Sequence, residues 1–311
     1  MPAIRSILIV LFALILFPVM AAEDNAGSPI TTQSDTSGVI KPRLWAVVSG
    51  GSVLVAGTMG GLYYAWYKDH PLTSFHFHDD LHDWLQMDKA GHLVSSYYIG
   101  LLGYESLRWA GVDNTTATWL GGTFGTVYLA TIEILDGFSA GWGASLSDVA
   151  ANTLGSAMFV SQQLLWNEQR VLLKYSYWPT KFADYRPDVL GSNHLERMFK
   201  DYNGITVWLS VNPHSFGANQ FPKWLNLSVG YGATGMTGGS ENISGYHNGI
   251  YIPEYERTRR YFLSFDIDLT RIETRNSSLG LLLKAFGFIR IPFPAIELDA
   301  NKKFRFHPLY L

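Results

Sequence analysis

The sequence predicts a mainly α protein: an N-terminal membrane-associated bundle of about four helices, followed by a smaller C-terminal unit of mixed α and β structure. Three observations predict it. Long apolar runs with many small residues fill the first half. An alternation of apolar and polar residues replaces them after about Val171. Charge is scarce throughout: 16% of residues are charged and 14% aromatic, whereas a freely soluble domain carries roughly 25% charged residues. Membrane contact accounts for that deficit. The 311 residues suffice for about two units, each with its own core. Twenty-three Lys and Arg stand against 26 Asp and Glu, a net charge of −3. That balance offers no basic footprint for nucleic acid, so no such partner is expected.

Residues 1–22 read as a signal peptide. Arg5 supplies the positive start, Ile7 to Met20 the apolar stretch, and Val19-Met20-Ala21 a small-residue cleavage site. The run is short for a membrane span and is followed at once by Glu23 and Asp24. Residues 23–43 are rich in Ser, Thr, Gly and Pro and read as a flexible linker. The sequence has no cysteine, which removes disulfides, thiolate metal sites and an acylated lipoprotein cysteine from consideration. Attachment to a membrane then falls to the polypeptide itself.

Residues 44–170 form the predicted bundle. Leu44 to Tyr67 is uncharged and apolar, long enough to cross a bilayer, with Trp45, Tyr63, Tyr64 and Trp66 where interfacial aromatics belong. Three further helices are expected near Trp84 to Trp109, Thr116 to Leu135 and Ser145 to Trp166. Turn-like stretches at Gly111-Val112-Asp113-Asn114 and Asp136 to Gly143 separate them. His92, Ser95, Ser96, Asp148 and Asn152 give two of these helices a polar face turned inward. Residues 171–311 form the predicted strand-rich unit, packed on the bundle. Thr206 to Val211, Trp224 to Tyr231 and Arg260 to Leu269 alternate as half-buried strands do. Phe304 to Leu311 is again strand-like, and Leu279 to Phe288 suits either a helix or a strand. These are too few strands for a closed membrane barrel.

The candidate chemistry lies in the first half. On a helix, Asp88 and His92 are four residues apart and Lys89 and His92 three, so one face carries an acid, a cation and a base. Glu133 and Asp136 are three apart, and Ser145, Asp148 and Asn152 recur at helical spacing. Antiparallel packing of these helices brings Asp88, Lys89, His92, Glu133, Asp136, Asp148 and Asn152 to one level, as a shared polar pocket. Ionisable groups at bilayer depth cost on the order of 2 kcal/mol or more each when unpaired, so they mark satisfied networks or working sites. Two chemistries suit the residue types. His92, Glu133, Asp136 and Asp148 make a ligand set for a divalent metal, the one cofactor the sequence suggests. Alternatively, His92, oriented by Asp88, serves as a general base toward Ser145 or a substrate proton. No Gly-x-Ser-x-Gly or His-Glu-x-x-His is present to choose between them. The run His76 to Asp83 has metal-like residues, but Asp79, Asp80 and Asp83 are expected to cap the helix that follows.

Three segments, Trp84 to His92, Glu133 to Phe138 and Gly143 to Gly155, together resemble the YfiM-type family of predicted periplasmic lipoproteins, whose function is unknown. The order Asp-Lys-x-x-His, Glu, Asp-x-x-x-Asn-x-x-Gly is also similar, more distantly, to VanZ-like membrane proteins. The resemblance covers about Phe75 to Gly155. It implies a location in a bacterial envelope and a polar constellation kept as a unit, and it transfers no activity. The absent cysteine and the added helix Leu44 to Tyr67 favour the inner membrane, facing the periplasm, over the outer. Three functions stay open: a lipid- or amphiphile-binding protein supporting envelope integrity, a metal-assisted or His-based lipid hydrolase or transferase, and a scaffold for envelope protein partners. Membrane lipid is the partner common to the first two.

Overall fold

The computed structural model describes residues 38–311 except 69; the expected signal peptide and most of the expected linker lie outside the described residues. The chain divides into two compact units, one formed by residues up to 79 with 95–169, the other by residues 80–94 with 170–311.

The helical unit contains α1 (Lys41–Leu62), extended by a π-helical turn over Tyr63–Tyr67. Pro42 sits in the first turn of α1, where a missing N–H costs nothing. Next come α2 (Met87–Trp109), whose first two turns belong to the other unit, then α3 (Asn114–Gly122), α4 (Phe124–Gly137) and α5 (Leu146–Trp166). Asp113 caps α3 by accepting from the Thr116 N–H. α5 ends where Asn167 turns left-handed, at φ 54°. The single helix expected over Thr116 to Leu135 is instead two. Gly121 and Gly122 weaken the chain there, and the Thr123 hydroxyl bonds back to the Trp119 carbonyl at 2.6 Å. α1 is long and apolar enough to cross a membrane, and only 6% of its most apolar window is buried.

Two turns of close packing fix α2 against its neighbours. Gly100 and Gly103 of α2 face Gly122 and Gly121 of α3, and Gly125 of α4 faces Ser96. α3 and α4 therefore run antiparallel to α2, backbone nearly on backbone, as small residues permit. α5 runs parallel to α2: Ser96 bonds to the Asn152 carbonyl at 2.6 Å, and Tyr104 accepts from Gln163 at 2.8 Å one helical stretch further on.

The second unit is built on a six-stranded antiparallel sheet in the order β1-β2-β3-β6-β7-β8. Its strands are β1 (Val171–Tyr177), β2 (Ile205–Val211), β3 (Leu225–Thr234), β6 (Thr258–Ile267), β7 (Phe293–Asp299) and β8 (Phe304–Tyr310). A separate ribbon pairs β4 (Gly245–His247) with β5 (Ile250–Ile252). Short helices Phe182–Tyr185, Pro187–Leu190 and His194–Lys200 follow β1, and Ser277–Ala285 precedes β7.

The sheet is rolled. β1 and β6 are separated by two strands, roughly 14 Å across a flat sheet, yet Lys174 Nζ on β1 lies 2.7 Å from Asp266 Oδ2 on β6. Thr206 on β2 and the Tyr310 hydroxyl on β8 are 3.1 Å apart although three strands intervene. The inner face of the roll is polar and filled: Lys174, Ser176, Thr206, Trp208, Ser210, Asn226, Ser228, Asp266 and Glu297 are all buried. Arg290 stacks 3.5 Å over the Trp208 ring.

Helix accounts for 46% and strand for 22% of the described structure, so the expectation of a mainly α protein dominated by an N-terminal four-helix bundle is overturned. The strands were undercounted for physical reasons. β1 opens with three consecutive apolar residues, Val171-Leu172-Leu173, and puts a lysine at a buried position, so only its last five residues alternate. β7 carries Pro294 near its start, a residue that reads as a strand breaker.

Candidate functional site

The polar residues of the helical unit form a seam along α2, α4 and α5. Glu133 is buried near the end of α4, and its Oε2 accepts from the Ser145 backbone N–H at 3.0 Å. Ser145 is the N-cap of α5 and accepts from the Asp148 N–H, also at 3.0 Å. One α4 carboxylate thus holds the start of α5, where the helix dipole favours negative charge. Asp148 and Asn152 are both buried on the inward face of α5. The Asn152 carbonyl accepts from Ser96 at 2.6 Å and from Thr126 at 2.9 Å, so α2, α4 and α5 meet at its level. Ser145→Ala is expected to cost about 1 kcal/mol through loss of the cap, measurable as a lowered denaturation midpoint with unchanged slope.

Asp136 goes elsewhere. Its Oδ1 accepts from the Tyr67 hydroxyl at 2.6 Å, which ties the end of α4 to the π-helical turn after α1. The helical spacing of Glu133 and Asp136 pointed to a joint role, but the tyrosine claims the second carboxylate.

In the second unit, Lys89 Nζ lies 2.5 Å from Asp80 Oδ2 and 2.8 Å from Asp88 Oδ2. Asp80 was expected to cap the helix; it pairs with Lys89 instead. The reason is the backbone that precedes α2: Trp84, Leu85 and Gln86 all take left-handed φ values of 49°, 52° and 64°, so the acidic run does not lead straight into a helix. Trp84, Leu85 and Met87 then pack on Ile205, Val207, Ala233 and Met236 at one end of the sheet. Tyr231 donates its hydroxyl to the Leu85 carbonyl, and Arg259 donates to Gln86 Oε1 at 2.8 Å. His92 is half-buried one turn before Ser96 on α2.

The sequence reading missed Thr126, Ser156 and Tyr67 as members of the seam. Only the pairing of helices brings Thr126 and Tyr67 to it.

Residues 77–163 match the model of a family described as predicted periplasmic lipoprotein (DUF2279). All of the acidic, histidine and serine residues described for the seam lie within that span. The match supports an exported, envelope-associated protein from an uncharacterised family, and it decides neither between inner and outer membrane nor for a YfiM-type or VanZ-like name. No curated protein matches the chain, and no solved structure does.

Proposed function

We propose that this envelope protein holds a divalent cation through Glu133 and Asp148, and that the cation recruits the anionic head of a lipid or other amphiphile. The observation that carries the reading is helical register. α2 and α5 run parallel with Ser96 level with Asn152. Moving back one turn along α5 leads from Asn152 to Asp148. α4 runs the other way, from Thr126 at Asn152 to Glu133 at Ser145. The two helices therefore offer two carboxylates at a common level, oxygen donors suited to manganese or magnesium.

Asp136, also expected as a ligand, is left out of this reading because its carboxylate serves Tyr67. A bound cation would supply Lewis-acid polarisation of a phosphate or ester oxygen; the protein's part is to hold the carboxylates in place. A hydrolase working through Ser145 is disfavoured by one observation. The Ser145 hydroxyl is engaged as the cap of α5 and by Ser147 Oγ at 2.9 Å.

The test is metal analysis of the purified full chain after dialysis against zinc, manganese or magnesium. The wild-type chain is expected to retain one of them, Glu133→Ala and Asp148→Ala to lose it at least tenfold, and Asp136→Ala to keep it. No retention by the wild-type chain, or equal retention by all four proteins, overturns the reading. Circular dichroism of each variant confirms that the helices persist.

A further inference from the structure

The polarity of the rolled sheet is inverted relative to a sheet that faces water. Such a sheet buries apolar side chains and shows polar ones to solvent. Here the inner face carries Lys174, Asp266, Ser210 and Asn226 in one bonded network, with Arg260 and His307 on Glu297. The outer face carries the aliphatic and aromatic positions. In register across β2, β3, β6, β7 and β8 run Leu209, Val229, Leu263, Ile296 and Phe306. Val229 is 50%, Leu263 48%, Ile296 47% and Phe306 65% exposed. Leu227 and Phe265 form the next row toward one end, Tyr261 and Phe304 the next toward the other, and all four are exposed. From Leu225 to Tyr231 and from Tyr261 to Ile267 no outward position is charged.

From this inversion the geometry points to a lipid-facing surface: the outer face of β2, β3, β6, β7 and β8 lies in the hydrocarbon of a bilayer. Four features select hydrocarbon as the occupant. The face joins nine exposed aliphatic and aromatic side chains in adjacent rows, the kind of contiguous apolar patch that marks a contact with lipid or protein. It is convex, so a second copy would touch it along a line, whereas acyl chains follow the curve. Its ends carry aromatics, Tyr261 and Phe304 at one and Trp224 at the other, in the manner of interfacial girdles. Beyond those aromatics stand cations at both ends, Arg259, Lys302 and Lys303 on one side and Lys223 and Arg271 on the other, complementary to lipid phosphates. The span from Tyr261 to Ile267 is six strand steps, roughly 20 Å, close to the apolar band of about 25 Å in membrane β-proteins. The inner face is packed by Trp208, Phe262, Tyr310 and Arg290, so the surface serves attachment and not conduction.

The absence of native cysteine makes the test clean. Single-cysteine variants at Val229, Leu263 and Ile296, with Ser264 for the inner face and Asn301 for the turn, are labelled with a nitroxide. The full chain is reconstituted in vesicles of phosphatidylethanolamine and phosphatidylglycerol. At Val229, Leu263 and Ile296 relaxation by oxygen is expected to exceed relaxation by a water-soluble nickel chelate. The order is expected to reverse at Asn301, and Ser264 to be sheltered from both. Faster relaxation by the nickel chelate at all three outer positions overturns the proposal. So does shelter from both reagents with spin–spin broadening that vanishes on dilution with unlabelled chain, the signature of a second copy. Leu209 on the same row replaces any position whose labelled variant loses the wild-type circular dichroism.

Discussion

Lys174→Met is expected to destabilise the strand-rich unit by about 3–5 kcal/mol, the range for removing one partner of a buried ion pair. Lys174 and Asp266 are both fully buried, and the ammonium donates to Asp266 Oδ2 at 2.7 Å and to the Ile267 carbonyl at 2.6 Å. Methionine fills nearly the same volume but leaves the carboxylate without its cation. The damage does not stop there. Asp266 Oδ2 accepts from Ser210, Ser210 Oγ accepts from Asn226, and Asn226 Oδ1 accepts from Asn212, so the lost charge lies at one end of a chain linking β1, β2, β3 and β6. The double variant Lys174→Met with Asp266→Leu removes both charges and is expected to recover most of the loss, because a well-packed apolar pair rivals a buried ionic one. Equilibrium denaturation of the two variants, followed by the strand signal, measures the difference. Equal stability of the single and double variants would show that the pair contributes nothing beyond volume.

What was legible in the sequence follows from which interactions are local. The end of α2, the start of α3 and both ends of α5 could be read because turn and capping residues act within a few positions: Gly111 to Asn114 between α2 and α3, and Ser145 before α5. β3 and β6 could be read because one of their faces is exposed and the other buried, so they alternate. β1 could not, since its opening Val171-Leu172-Leu173 does not alternate and its lysine is buried. The alternation showed that one face is buried but not which, and the rolling of the sheet turns Lys174, Ser210 and Asp266 inward. No local pattern records the direction in which a sheet curls. In the seam, Glu133, Ser145, Asp148 and Asn152 were found by helical spacing. Asp136 was assigned with them by the same spacing, but its partner Tyr67 lies 69 positions earlier in the chain. The pairing of Lys89 with Asp80 was likewise hidden, because three left-handed residues intervene where a continuous helix was expected.

Gly125→Val is expected to cost about 3 kcal/mol, the upper end of the usual range for overpacking, and to weaken cation retention while every ligand stays in the chain. A Cβ at Gly125 would lie 2.1 Å from the Ser96 carbonyl oxygen and 2.8 Å from its carbon. Both are backbone atoms of α2, so no side chain can turn aside, and the helices must separate. The separation acts where Ser96 bonds to the Asn152 carbonyl and lies 3.0 Å from Ser156 Oγ. Thr126, the next residue of α4, donates to the same Asn152 carbonyl, so these contacts also set the level of α4 against α5. A displaced α4 therefore draws Glu133 away from Asp148 without altering either carboxylate. Gly57→Ala is the matched control, because a Cβ on that α1 residue meets nothing within 4 Å. Alanine there is expected to leave stability unchanged or raise it by about 0.4–1 kcal/mol. Thermal denaturation and metal content measured on the same preparations separate the two effects. A Gly125→Val protein as stable as wild type, with its cation retained, would mean that the α2–α4 contact does not fix the register on which the cation site depends.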